Sequence, residues 1–320
     1  MALNTKAIKR RIKSITSTRK ITKAMEMISA VKMRRAVLNA LATRNYAVQA
    51  WEIINDIAKR TDIKLHPLLM HRPIKKIGLI FITSNRGLAG GFTSRLIAAA
   101  QEYVKSANLE TNAEIDLILM GKQGKKAIYR LNKKVVAQFE KIDLTTKLEE
   151  VIPLSQLAIQ DYINGTYDRV VVAYTHFSSA LQQVPRLKQI LPLEKGLNQM
   201  LDIIEESITE TDLETSNVGE SEKQFSEAWG DEEGLSTYRF EPKTSLVLNN
   251  LLPRLVEMQV YQAILESDAS EHSARMLAMR NASDAAKDMI KELNYIFNKA
   301  RQAAITQEIS EIVGGAAALA

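Results

Sequence analysis

RLVEMQVYQAILESDASEHSARMLAMRNASDAAKDMIKELNYIFNKARQAAITQEISEIV, residues Arg254–Val313, contains neither glycine nor proline. Residues 1–66 lack both as well, and all 13 glycines and 7 prolines of the 320-residue chain fall outside these two runs. Proline breaks a helical ladder and glycine weakens it, so such runs are what very long helices need. At about 1.5 Å per residue each run can extend roughly 90 Å, far beyond the width of a small domain. Two such rods at opposite ends of one chain are expected to pair with each other, leaving the middle as a separate lobe.

The first rod carries Ile8, Ile12, Ile15, Ile21, Met25, Ile28 and Val31, continued by Leu38, Leu41, Val48, Trp51, Ile54 and Ala58. That spacing predicts one apolar seam under a cationic outer face, closed at His66-Pro67 because the residue before a proline leaves the helical region. In the last rod Val256, Val260, Ile264, Met289, Leu293, Ile296 and Ala300 mark the expected inner stripe. Pro242 suits a first-turn position and Pro253 is expected to kink the helix. A competing reading breaks this rod at Ser267-Asp268-Ala269-Ser270-Glu271, which has the form of a capping sequence.

Between the rods the period changes. Ile77–Thr83 (IGLIFIT), Asp116–Met120, Val135–Phe139 and Asp168–Thr175 read as strands, with helices around Phe92–Ser106, Lys122–Leu131 and Pro153–Asn164. Alternating strands and helices predict a mostly parallel sheet with helices on its faces, a Rossmann-like α/β lobe. The expected divisions are residues 1–72 (first rod), 73–200 (lobe), 201–240 (an acidic insertion, with a short helix near Leu197–Glu206) and 241–320 (second rod).

Composition narrows the chemistry. With no cysteine there is no disulfide or thiolate ligand, and the four histidines show no ligand spacing, so no metal is expected. No apolar run approaches the ~18 residues of a membrane span. The basic, hydroxyl-rich start resembles a transit peptide in composition but runs unbroken into the rod, so it is expected to be the mature N-terminus. The net charge of +6 is unevenly spread. Asp202–Glu233 holds 12 acids and one base, whereas Lys6–Arg35 holds 11 bases against Glu26. Such a cationic rod predicts an acidic or polyanionic partner.

Thr83–Phe92 lies between a strand and a helix, where phosphate loops sit, yet it lacks the Lys-Ser/Thr pair of a P-loop and the dinucleotide glycine spacing. A tight turn allowing close helix–sheet approach is the favoured reading. Gly121–Lys126 is equally weak as a phosphate loop. No paired carboxylates or Ser/His/Asp set stands out, so neither an active site nor a bound cofactor is expected.

Three segments carry a resemblance. Asn298–Leu319 (NKARQAAITQEISEIVGGAAAL), Ile15–Met33 (ITSTRKITKAMEMISAVKM) and Ser84–Gly91 (SNRGLAGG) are similar, in the correct order, to motifs of the gamma subunits of F-type ATP synthases. The resemblance implies a rotor shaft in which the terminal helices form an antiparallel coiled coil inside a ring of alternating alpha and beta subunits. The lobe would meet the epsilon subunit and the membrane c-ring. Proton flow would turn the shaft, with ATP chemistry on beta, peripheral to the cytoplasmic face of a bacterial inner membrane.

By the same resemblance, Met25, Arg301, Gln302, Thr306 and Glu308 would contact beta. Lys20, Lys23, Arg34 and Arg35 would face acidic segments of the ring, and Ile309–Leu319 would form an apolar tip. Arg86, Gly87, Gly90 and Gly91 form the family turn, and Tyr238, Phe240 and Glu241 fall on the epsilon and c-ring side. Many relatives have Cys in place of Ala89 and Asp in place of Asn85, so no role is carried over there. The acidic stretch reads as longer than in typical bacterial relatives. Photosynthetic relatives carry a redox insert nearby, whose disulfide a cysteine-free chain cannot make. The rival to this reading is a basic coiled-coil scaffold or nucleic-acid binder, although no nucleic-acid module is recognisable.

Overall fold

The computed structural model describes residues 5–60, 66–141, 147–193 and 244–319. The acidic insertion, Leu197–Glu206, Tyr238, Phe240 and Glu241 lie outside the described residues, as do the side chains of Val48, Trp51, Ile54 and Ala58. The chain divides into two compact units, Met1–Val31 with Arg275–Ala320, and Lys32–Ala274.

Both rods are helices. α1 spans Thr5–Arg60. A 3-10 turn follows at Pro67–Leu69, where extended His66 accepts the Leu68 amide on its ring nitrogen. The last helix, here α5, is continuous over Thr244–Leu319. Pro253 sits within it, and the break considered at Ser267–Glu271 does not occur. Ser270 and Glu271 bond to the lobe, so their side chains do not compete for their own helix backbone.

In the unit of the two chain ends the helices pair as an antiparallel coiled coil. The inner positions of α1 recur every seven residues, at Ile8, Ile15, Thr22 and Ser29, a coiled-coil repeat. Thr22 fits because its hydroxyl donates to its own helix at Arg19 O, 3.0 Å away. On α5, Met279, Ala286, Leu293 and Ala300 repeat with the same period. The expected seam needs correction. Ile21 (61% exposed), Ile28 (57%) and Val31 (70%) on α1, and Met289 (52%) on α5, point outward. The positions buried in their place are small or hydroxyl side chains, Thr22, Ser29, Ala286 and Ala300. Leu38, in the other unit, is also exposed.

The lobe holds five strands in the order β3-β2-β1-β4-β5. β1 (Lys76–Ile82), β2 (Glu114–Met120), β3 (Lys134–Phe139) and β4 (Arg169–Phe177) are parallel. β5 (Gln183–Leu191) is antiparallel to β4 and absent from the sequence expectation. Its Pro185 and scattered charges hide it, and an edge strand tolerates both.

Helices cover both faces, which is why the central strands read as unbroken apolar runs. On one face α2 (Phe92–Glu110) and α3 (Lys125–Leu131) bury Leu96, Ile97, Ala127 and Leu131 against Leu79, Phe81, Leu117 and Leu119. On the other, α4 (Leu148–Ile163) and the first part of α5 bury Leu154, Tyr162, Leu252, Val256, Val260 and Ile264 against Ile80, Ile118 and Val172. α4 starts five residues before the expected Pro153, with Glu149 and Glu150 suitably placed in its first turn.

Candidate functional site

The cationic face of α1 is built by default: with the seam turned inward, the bases are left in water. Lys20 and Lys23 are exposed, Lys23 lying 3.0 Å from Glu26, the one acid of that stretch. Met25 is half-buried. Interleaved with these cations, Ile21, Ile28 and Val31 make an exposed apolar row, the mark of a surface built for a partner. Arg34 and Arg35 are exposed in the other unit.

Burial on α5 ends at Ala300; every residue from Arg301 to Gly314 is exposed. Arg301, Gln302, Thr306 and Glu308 therefore share one open helical segment. The Thr306 hydroxyl donates to the Gln302 backbone carbonyl at 3.0 Å, and Gln302 is itself exposed. Among them Ile305, Ile309, Ile312 and Val313 expose apolar side chains. The helix continues through the expected tip to Leu319.

The glycine turn after β1 is folded upon itself. Leu88 and Gly90 take left-handed backbone, the Phe92 amide donates to Ala89 O, and Ser94 Oγ donates to Gly91 O. Arg86 is exposed and Gly87 borders open space. Asn85 bridges the strand ends: its amide donates to Lys141 O and its carbonyl accepts from Lys122 N at 3.2 Å. Gly121, at φ +95°, passes so near the Thr83 carbonyl that a side chain would collide with it.

Above these strand ends, where a doubly wound sheet ordinarily takes a ligand, stands the chain's own helix. Ala274 packs on Ala89 and Phe92. Ser270 Oγ donates to Thr175 O at 3.0 Å, and Ser273 Oγ to Ala180 O at 2.5 Å. Gln183 Nε2 donates to Ser273 Oγ at 3.2 Å. His176 Nδ1 lies 2.7 Å from Glu266 Oε2, both buried, and donates because a carboxylate only accepts. Lys141, following β3, is buried with its ammonium 2.9 Å from Glu271 and also paired with Asp268. Burial pulls the Lys141 pKa down, but the two carboxylates more than offset this and hold it above its ordinary value.

From sequence, Asp268, Ser270 and Glu271 stood out only as part of a capping-like break, and Lys141, His176, Gln183, Glu266 and Ser273 not as a site at all. The available signal was the run Glu266–Glu271, whose polar side chains interrupt an otherwise apolar helix face. Among the described residues no cluster of His, Asp and Glu is arranged to hold a metal ion.

The family model described as ATP synthase matches residues 4–319. The chain belongs to the ATP synthase gamma family. ATP synthase gamma chains of Dehalococcoides mccartyi and Legionella pneumophila are 39% and 36% identical to it, over 99% and 98% of this chain and 99% of each relative. That of Herpetosiphon aurantiacus is 39% identical over 98% of this chain and 97% of its own. The fold is shared with a chain of the Euglena gracilis mitochondrial ATP synthase OSCP/F1/c-ring structure (TM-score 0.62, 15% identity, covering 98% of this chain and 94% of that one). It is also shared with a chain of the Tetrahymena thermophila central stalk/c-ring structure (TM-score 0.55, 24% identity, covering 82% and 99%). Membership makes this chain a rotor-shaft subunit of an F-type ATP synthase, and a non-catalytic one. No helix among the described residues is long and apolar enough to cross a membrane.

Proposed function

We propose that α1 and α5 turn as a shaft within a ring of alpha and beta subunits, while the sheet lobe meets epsilon and the membrane c-ring. The observation that carries this is the wholly exposed segment Arg301–Gly314, with its mixture of donors and apolar side chains. Arg301 and Gln302 are suited to catch a carboxylate or carbonyl on one beta subunit at a time. The cations and apolar row of α1 would meet acidic and apolar surfaces of the same ring.

Transmission works through differential contacts. A surface touching all three beta subunits equally would favour no state; an asymmetric one forces them through different conformations in turn. ATP chemistry then belongs to beta and ion movement to the membrane ring. The complex would sit on the cytoplasmic face of a bacterial plasma membrane with protons as the coupling ion. The turn at Arg86, Gly87, Gly90 and Gly91 serves the lobe's own folding and takes no ligand.

Tagged protein should bring down alpha, beta and epsilon in fixed ratio, and the membrane complex should couple ATP hydrolysis to proton pumping. Salt-sensitive retention of nucleic acid without those subunits would overturn the reading.

A further inference from the structure

We propose that two buried polar groups, Lys141–Asp268–Glu271 and His176–Glu266 with Ser270 and Ser273, form a torsional lock that fixes α5 against rolling on the sheet lobe. The proposal rests on the rotor reading, since only a shaft under torque needs such a lock.

The angular placement carries it. At roughly 100° per residue, Glu266, Ser270 and Ser273 fall within an arc of about 60° on α5. Glu271 stands about 100° beyond one end of that arc, and Asp268 about 140° beyond the other. The first arc is held by His176, Thr175 O and Ala180 O, at and just past the end of β4. The other flank is held by Lys141, past the end of β3. In the sheet order, β2 and β1 separate those strands. The helix is therefore gripped from two directions, and a roll either way must break one group.

Apolar packing alone would resist rolling weakly, because one methyl contact replaces another as a helix turns. Ion pairs and hydrogen bonds are directional, and buried ones are costly to leave unmade. The Lys141 ammonium cannot follow both carboxylates if Asp268 and Glu271 rotate. It is itself tethered, since its carbonyl accepts from the Asn85 side chain. Small residues complete the grip. Ser267, Ala269, Ser270, Ser273 and Ala274 let the helix backbone approach the sheet ends closely enough for short side chains to reach. These are positioning residues: they touch no nucleotide, and they act by holding the register of a helix that continues unbroken to Leu319.

The test uses the assembled membrane complex with Lys141→Met, Asp268→Asn and Glu271→Gln combined, which removes the charges while keeping side-chain size. A single cysteine at exposed Leu109 (Leu109→Cys) in this cysteine-free chain attaches a bead to the lobe. With the catalytic head immobilised, the angular variance of the bead is expected to rise about twofold, and protons pumped per ATP against a gradient to fall by roughly two- to tenfold. ATP hydrolysis by the complex without a gradient stays at the parent level. In the Asp268→Asn background, Lys141→Glu with Glu271→Lys, which restores a single opposite-charge pair without setting two carboxylates together, should recover most of the loss.

Unchanged variance and pumping ratio in the triple variant overturn the lock. If the triple variant does not assemble, Ser270→Ala with Ser273→Ala tests the other flank by the same two readouts, and unchanged values there overturn it equally. A parent complex that pumps while the variants behave like it rejects the lock alone. A parent chain that joins no such complex rejects the rotor reading.

Discussion

The ring of Tyr167 lies so close to Gly78 that a Cβ built on that glycine comes within 2.9 Å of it. Gly78 is on the central strand β1, and Tyr167 is buried just before β4 with its hydroxyl 3.5 Å from Asp116. The tyrosine occupies the space of the missing side chain, so Gly78→Ala must move a ring that has nowhere to go. Overpacking of this kind costs about 1–3 kcal/mol. Urea denaturation of the purified chain should show that loss; a change under about 0.5 kcal/mol would mean the ring yields freely.

His66 makes stability depend on acid. Its pKa is held below the ordinary 6.5 by burial, with a hydrogen bond to Asn249 opposing. Geometry agrees, since its Nδ1 accepts the Leu68 amide at 3.2 Å and can do so only while unprotonated. A group whose folded pKa is lowered binds protons more readily when unfolded. Its contribution is full above the unfolded pKa, near 6.5, and is lost as pH falls toward the folded value. The parent should therefore lose stability through this group as pH falls below about 6.5. His66→Asn, which keeps an acceptor but cannot titrate, should flatten that slope. Equal slopes in both proteins would remove His66 from the account.

Lys141 gives the opposite case. Its pKa is raised on folding, so its contribution is present below the ordinary lysine value of 10.5 and is lost only as pH climbs through the raised value. From pH 6 to 9 the parent should show no slope from this group. Lys141→Met strands Asp268 and Glu271 without their cation and should cost about 3–5 kcal/mol at neutral pH. The deficit should shrink as pH falls and the stranded carboxylates take up protons, and in the background Asp268→Asn with Glu271→Gln. Denaturant midpoints at several pH values for the three proteins check all of this. A deficit independent of pH would show that lost packing, and not charge, is responsible.

What could be read from sequence follows from how local each signal was. The two long helices were legible because the absence of glycine and proline is a property of contiguous residues. β1, β2 and β4 were legible because burial on both faces forces unbroken apolar runs. β5 was not, since Pro185, Arg186 and Lys188 disguise an edge strand. The seam of the coiled coil was misread at Ile21, Ile28 and Val31 because an outward apolar row has the same helical spacing as an inward one. Thr22 and Ser29, which are buried there, carry no hydrophobic signal. The buried pairing of Lys141 with Glu271 joins residues 130 positions apart, and nothing local to either announces the other.

The exposed face of α5 allows a test in which stability and function part company. Arg301 and Gln302 are solvent-exposed on a helix that has run past its covered seam, so replacing both with alanine removes no buried contact of this chain. Alanine is also the best helix former, and exposed substitutions of this kind stay within about 0.5 kcal/mol. Denaturation of the free chain should therefore be unaffected, and assembly should proceed. Within the ring the same change removes two donors, each leaving its partner group unpaired at a cost of about 1–3 kcal/mol in whichever rotary state makes the contact. Because that cost falls on one state and not on all, it should appear as a several-fold drop in steady-state ATP turnover of the assembled complex. Thr306→Ala, whose hydroxyl is already spent on the Gln302 carbonyl, should have a much smaller effect. Normal turnover in complexes carrying Arg301→Ala and Gln302→Ala would remove these two residues from the catch, whereas loss of assembly would make them anchors of the shaft.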